Sequence, residues 1–257
     1  MRVLHWITWI IAIGSPGICF QADDRLHNTA MSRVTPDKVL VGSREQYSIL
    51  GFGASTKSSG SGVQYSGNVG SPYGSNVIEV PATQAHRYKY VVRFERLGKG
   101  DNWTVVIWNK IAPDGTIGGW YGKACKKFAL AAGQIRYIAF NEDSQGGWAA
   151  APGSLVPADG NGGYASTWGE FDFGSTVNLG WSGFDVSAIA AQNAGLEVQG
   201  MKICEVLTHI CSYIGPAAAF VHNAYTSAVA DIGGIGGKLA PGPVRLAVTI
   251  GYNITHA

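Results

Sequence analysis

The chain has 257 residues, a formal net charge of +2 and only 14% charged residues, well below the ~25% of an ordinary soluble domain. Its 36 glycines, eight tryptophans and 11 tyrosines suit a loop-rich extracellular β-protein. The 19 lysines and arginines form no basic stripe, which excludes nucleic acid as a partner.

Arg2 precedes an apolar run at 3–13, followed by Gly14, Ser15, Pro16 and Gly17. A charged start, a short apolar core and a small-residue exit read as a secretory signal peptide, assigned to 1–19. The run is too short to span a bilayer, which takes ~20 apolar residues. No later segment reaches that length free of charge, so no membrane partner is expected. Residues 20–45 lack periodicity and read as a mobile arm, and 46–257 as a single domain. The Gly/Ser-rich stretch at 51–75 is interrupted by Phe52, Val63, Tyr65 and Tyr73, which predicts ordered loops with short strands rather than a linker.

Strand signals dominate from there. A short apolar run at 76–80 ends at Pro81. Residues 88–95 alternate, with Tyr88, Tyr90, Val92 and Phe94 on one face. The stretch 103–108 is a near-continuous apolar strand, followed by the turn Ala112-Pro113-Asp114-Gly115. Further strands are expected at 135–140 and 198–205. In the segment around residue 170, Phe171 and Phe173 face one side and Glu170 and Asp172 the other. The last strand alternates Val244, Leu246, Val248 and Ile250 with Arg245, Ala247 and Thr249. Two helices are expected: a short one at 187–193 ended by Gly195, and one at 216–231. In the latter, Ala217, Val221, Ala224, Tyr225 and Ala228 follow Pro216 at helical spacing. Many short strands with Gly-rich turns make an all-β sandwich or jelly roll with one or two short helices.

Cys19 falls in the signal region. Cys204 and Cys211, with six residues between them, are the natural disulfide pair in an oxidising compartment. Cys125 is then the odd one, a buried thiol or a link to another chain. Asn102-Trp103-Thr104 and Asn253-Ile254-Thr255 are N-glycosylation sequons.

Three acids carry the chemistry worth weighing. Glu170 and Asp172 are two apart on a strand, hence on one face and about 6–7 Å apart along the backbone. Asp185 can join them from the next strand. Paired carboxylates at such separations hydrolyse glycosides in many enzymes. The structural alternative is solvated acids on an outward sheet face, or Asp185 capping the helix that follows. Trp120, Tyr121, Trp148, Trp168 and Trp181 stand beside glycines, which places them in turns, where flat rings can stack on sugars. Asn141, Glu142, Asp143 and Gln145 could hydrogen-bond the sugar hydroxyls. The alternative is aromatics plugging the ends of the sandwich. Asp143, Asp159 and Asn161 fit no EF-hand spacing. His86, His209, His222 and His256 have no zinc spacing, and no GxSxG elbow is present. No metal and no cofactor are expected.

Long motifs give the chain a relative. YSGNVG at 65–70, YGSNVIEV at 73–80, WTVVIWNKIAPDG at 103–115, YIAFNEDSQGGW at 137–148, TWGEFDFG at 167–174, GWSGFDVSAIAAQNA at 180–194 and GGKLAPGPVRLAV at 236–248 resemble the secreted Aspergillus allergen four family. The resemblance runs from about residue 45 to 252. It implies a secreted fungal protein recognised as an allergen in some species, and supplies no agreed enzymatic activity. Family members typically carry a cysteine just before the GFG turn and another before TWGEFDF. Here those positions are Ser48 and Ser166, so if the two normally pair, both halves are missing. A more local resemblance links GEFDFG and GFDVSAI to thaumatin-like proteins, β-sandwiches with an acidic cleft, some of which bind or cleave β-1,3-glucans. It maps Glu170 and Asp185 onto cleft acids. The expectation is therefore a secreted, non-enzymatic protein that binds cell-wall or extracellular polysaccharide, with Trp148, Trp168, Trp181, Glu170 and Asp185 forming the groove. The alternatives are a glycoside hydrolase using Glu170 with Asp172 or Asp185, and a host-interaction protein with a protein target.

Overall fold

The computed structural model describes residues 46–253. The signal peptide and the arm expected at 1–45 lie outside the described residues, as do Ile254 and Thr255 of the second sequon.

The described chain is built from thirteen strands: β1 (Val77–Val80), β2 (Tyr90–Arg96), β3 (Trp103–Asn109), β4 (Lys126–Leu130), β5 (Ile135–Phe140), β6 (Ser144–Pro152), β7 (Trp168–Ser175), β8 (Trp181–Ser187), β9 (Met201–Glu205), β10 (Cys211–Ile214), β11 (Val221–His222), β12 (Gly237–Leu239) and β13 (Val244–Ile250). They form a seven-stranded sheet in the order β1-β5-β2-β13-β9-β10-β11 and a six-stranded sheet in the order β12-β8-β7-β6-β3-β4. Neighbours within the sheets run antiparallel except β2 and β13, which pair in parallel with Val244 opposite Tyr90 and Ile250 opposite Arg96. The all-β sandwich expected from the sequence is the fold observed.

Period-two alternation puts one face of each sheet into a shared core. The seven-stranded sheet contributes Tyr90, Val92, Phe94, Ile203, Leu246 and Val248. The six-stranded sheet contributes Val105, Ile107, Trp148, Phe171, Phe173, Phe184 and Val186. Each such side chain adds roughly 1.5–3 kcal/mol on burial. Aromatic rings run through the middle of this core: Phe94 meets Trp148 edge-on at 5.3 Å, and Trp148 stacks on Phe171 at 5.6 Å. A second cluster, of Val106, Trp108, Trp120, Ala149 and Trp168, lies on the outer face of the six-stranded sheet.

Trp148 sits inside β6, while Trp168 and Trp181 open β7 and β8. The expectation that these tryptophans occupy turns fails for a packing reason. A Cβ on Gly169 would lie 2.3 Å from the Trp148 ring, and one on Gly147 would lie 2.7 Å from that of Trp108. These glycines make room for neighbouring indoles within the sheet instead of bending the chain.

Helix α1 (Ala82–Ala85) is a single turn, and α2 (Ile189–Asn193) matches the short helix expected before Gly195. The helix expected at 216–231 is absent. Ala217 and Ala218 adopt left-handed backbone, with φ of 53° and 55°, and the segment continues into β11. Its backbone bonds to distant chain instead: Ala217 N–H donates to Val198 O, and Tyr225 exchanges bonds with Val186 and Ala188. These long-range partners override a weak alanine-rich helical pattern.

Cys204 and Cys211 face each other across β9 and β10 and form the expected disulfide. Cys125 donates its thiol to Ile107 O at 3.3 Å, and burial pushes its pKa up to about 12. Ser48 N–H donates to Arg87 O beside the seven-stranded sheet. Ser166 Oγ donates to Ala150 O in the six-stranded one. The two serines thus bond to different parts of the chain.

Candidate functional site

On β7, Phe171 and Phe173 point into the core, so Glu170 and Asp172 point outward from the six-stranded sheet. The register places Glu170 directly opposite Asp185 on β8, and Asp172 between Gly183 of β8 and Gln145 of β6. Sequence spacing thus brings the three acids onto one face as expected. They are not solvated there: Glu170, Asp172 and Asp185 are only 8%, 6% and 4% exposed. Nor does Asp185 cap α2, whose N-cap is Ala188. The cover comes from far along the chain. Tyr225 bridges to Ser187, and Gly236 lies so close that a Cβ there would sit 2.7 Å from that of Asp185.

Burial sets the electrostatics. Desolvation raises the pKa of Glu170 and of Asp185, and the Glu170 charge raises Asp185 further. Asp172 is pushed up to about 7, first by burial and then by the charge of Asp143. Gln145, Ser175 and Lys110 pull it back only in part. Lys110 is itself lowered by burial while its Nζ donates to Tyr65 O. Glu170 Oε2, Asp172 Oδ1, Asp185 Oδ1 and Gln145 Oε1 are buried with no hydrogen-bond partner among the described residues. The cluster is rich in acceptors and poor in donors, so protons on the acids themselves are its cheapest satisfaction.

The tryptophans divide differently from the expectation. Trp148 is fully buried in the main core, and Trp168 is buried with its Nε1–H donating to Tyr164 O. Neither presents a ring face to solvent. Trp181 does, at 41% exposure. It shares the outer face of β8 with Gly183 and Asp185, since alternate residues point the same way. Lys238 on β12 pairs with Gly183 and is exposed. An open indole and a side-chain-free floor, with a lysine beside that floor, thus lead along β8 toward the sealed acids. Alternation in WSGFDVS is the signal for this row, and its single glycine is a strand residue.

The polar residues near Trp148 serve the framework. Asp143, at a φ of 63°, accepts from the Tyr65 hydroxyl at 2.8 Å, from Ser58 Oγ and from Thr176 N–H. Glu142 pairs with Lys89, and Asn141 bonds to Ser55. Asp159 is occupied by the backbone N–H groups of Asn161 and Gly163. No group of three His, Cys, Asp or Glu among the described residues is arranged to hold a metal ion. No helix among them is long and apolar enough to cross a membrane.

The profile of the Allergen Asp f 4-like domain matches residues 75–250, the stretch that contains every strand described above. The chain belongs to this family. A curated relative, Allergen Asp f 4 of Aspergillus fumigatus, is 53% identical over 208 residues, covering 80% of this chain and 64% of that protein. The chain therefore spans less than two thirds of that relative's length. Among solved structures, the protein elicitor MoHrip2 from Magnaporthe oryzae aligns with a TM-score of 0.40 at 12% identity, covering 63% of this chain and 99% of that one.

Proposed function

We propose that this member of the Allergen Asp f 4-like family is a secreted, non-enzymatic protein that binds extracellular or cell-wall polysaccharide, β-glucan being the first candidate. The observation that carries the reading is the row Trp181, Gly183, Asp185 on β8, in which the indole is open and the acid sealed. A β-linked glucose ring presents a flat C–H face that an exposed indole can stack on, while Lys238 offers donors to its hydroxyls. The carboxyl oxygens of Glu170, Asp172 and Asp185 named above are closed to water. Hydrolysis would need one carboxyl to reach the glycosidic oxygen and another to reach the anomeric carbon or a water. Sealed acids support binding over catalysis. The disulfide and the family's allergen support secretion.

Purified protein incubated with insoluble β-glucan, chitin and cellulose tests this, with depletion from solution and soluble sugar both measured. Depletion without sugar release, lost in Trp181→Ala and kept in Glu170→Gln/Asp185→Asn, is the expected result. Sugar release abolished by the double variant would make the protein a hydrolase.

A second reading, a protein target on a host, has its own observation. Val177, Leu179 and Trp181 are 39%, 84% and 41% exposed within five residues of the β7–β8 turn. A cluster of open apolar side chains on one turn is what protein-binding surfaces present, whereas single exposed ones are ordinary. Depletion by none of the polymers would favour this partner.

A further inference from the structure

Each sheet has two edges, and three of the four edge strands are blunted. β11 has two residues, β12 has three, and β1 stops at Pro81. The fourth, β4, is the longest, and after Lys126 and Lys127 it runs on through Phe128, Ala129 and Leu130. An edge of this kind offers unpaired N–H and C=O groups to other chains unless something covers it. Alongside β4 runs an open groove of ≈ 810 Å³ lined by Gly100, Asn102, Thr104, Lys127, Ala129 and Ser154, among others. That volume lies within the ~300–1,000 Å³ of pockets that take a small organic ligand. Asn102, the first residue of a sequon, is part of the groove wall, and it is exposed.

We propose that Asn102 carries an N-linked glycan whose first sugars lie in this groove and cover the β4 edge. The proposal rests on the chain entering the secretory route. In the transfer, the Asn102 amide nitrogen loses a proton and bonds to the anomeric carbon of an N-acetylglucosamine. The bond from that carbon to a lipid diphosphate breaks, and the lipid diphosphate leaves with the electron pair. The structure also places the step in time. Thr104, whose hydroxyl the sequon requires, is buried and donates to Gly153 O at 2.7 Å. Gly153 N–H in turn donates to Asn102 O at 2.9 Å. Once β3 has paired with β6 the sequon is no longer free, so the glycan is added to the open chain and is carried into the groove as the sheet forms.

The test expresses the full chain in a glycosylating fungal host and treats both supernatant and cell lysate with an N-glycosidase. Asn102→Gln and Asn253→Gln run beside the wild type. Native protein, before and after trimming by an endoglycosidase, is then acetylated with a lysine reagent. A mass loss on digestion that disappears in Asn102→Gln and persists in Asn253→Gln is expected, as is a several-fold gain in Lys127 labelling on trimming. Labelling of Lys57, which is exposed elsewhere, should stay constant. Chain in the supernatant with an unmodified Asn102 peptide would overturn the proposal while leaving secretion standing. Chain confined to the lysate and insensitive to the glycosidase would overturn both. A glycan on Asn102 with Lys127 equally reactive before and after trimming would overturn the groove. Trimming acts on wild-type protein, so the groove is tested even if Asn102→Gln folds poorly.

Discussion

Replacing Asp172 by Asn should stabilise the protein near neutral pH and change it far less in mild acid. The Asp172 carboxyl has a usual value of 3.8 and is held at about 7 in the folded protein, by burial first and then by the charge of Asp143. A folded-state pKa above the unfolded one means that the folded chain holds the proton more tightly. Its contribution to stability is complete below the unfolded value, falls as pH rises and is gone above the folded value. A gap of about three units at ~1.36 kcal/mol each is worth about 4 kcal/mol. Of this, about 3 kcal/mol is lost between about pH 4.5 and about pH 7.5. Glu170 and Asp185, both raised by burial, push the same way. For a domain of this size 3 kcal/mol corresponds to roughly 6–12 °C in melting temperature. Asn mimics the protonated acid without titrating, so Asp172→Asn should flatten much of the slope. Urea unfolding followed by tryptophan fluorescence across this range, for wild type and variant, measures both. A wild type as stable at neutral pH as in mild acid would refute the reasoning, as would a variant destabilised equally at both ends.

Trp148→Ala should cost ~3–5 kcal/mol in urea unfolding, since the ring is fully buried between Phe94 and Phe171. Trp181→Ala should stay within about 0.5 kcal/mol, and equal losses from the two would contradict their placement. Gly169→Ala should cost ~1–3 kcal/mol through overpacking against the Trp148 ring, read as a shift in urea midpoint. Changing Cys204 and Cys211 together to Ser should remove about 2.5 kcal/mol, the chain-entropy value for so short a loop, measured against the wild type under non-reducing conditions. The Cys125 thiol, its pKa pushed up to about 12, should react with a disulfide reagent only as the protein unfolds. Labelling of the native protein at the rate of a free thiol would refute that.

The strands were legible where one face meets the core and the other meets solvent or loop. Val244 to Ile250 alternate in sequence as they do in β13, and Tyr90, Val92 and Phe94 point inward as their spacing said. The pairing of Glu170 and Asp172 on one face was legible for the same reason. The burial of Asp185 beside them was not, because the residues that cover it, Tyr225 and Gly236, stand some forty to fifty positions away. Local spacing carries no record of which distant loop folds over a sheet. Glycine misled in the opposite sense. Next to tryptophan it suggested turns, yet Gly147 and Gly169 are strand residues whose missing side chains are occupied by indoles. The residues after Pro216 satisfied a helical period with little propensity cost, but Ala217 N–H donates to Val198 O and Tyr225 N–H to Val186 O, partners that no local window of sequence contains.

The parallel pairing of β2 with β13 also makes the seven-stranded sheet depend on its longest-range strand contact, Val244 opposite Tyr90. In the seven-stranded sheet, β1, β5 and β2 lie on one side of β13 and β9, β10 and β11 on the other, and β13 alone joins them. The described strand latest in the sequence is therefore the central one. Without β13 the part-sheets β1-β5-β2 and β9-β10-β11 share no strand pairing. Completion of this sheet therefore waits on a contact between strands about 150 positions apart, the kind of long-range pairing that slows folding.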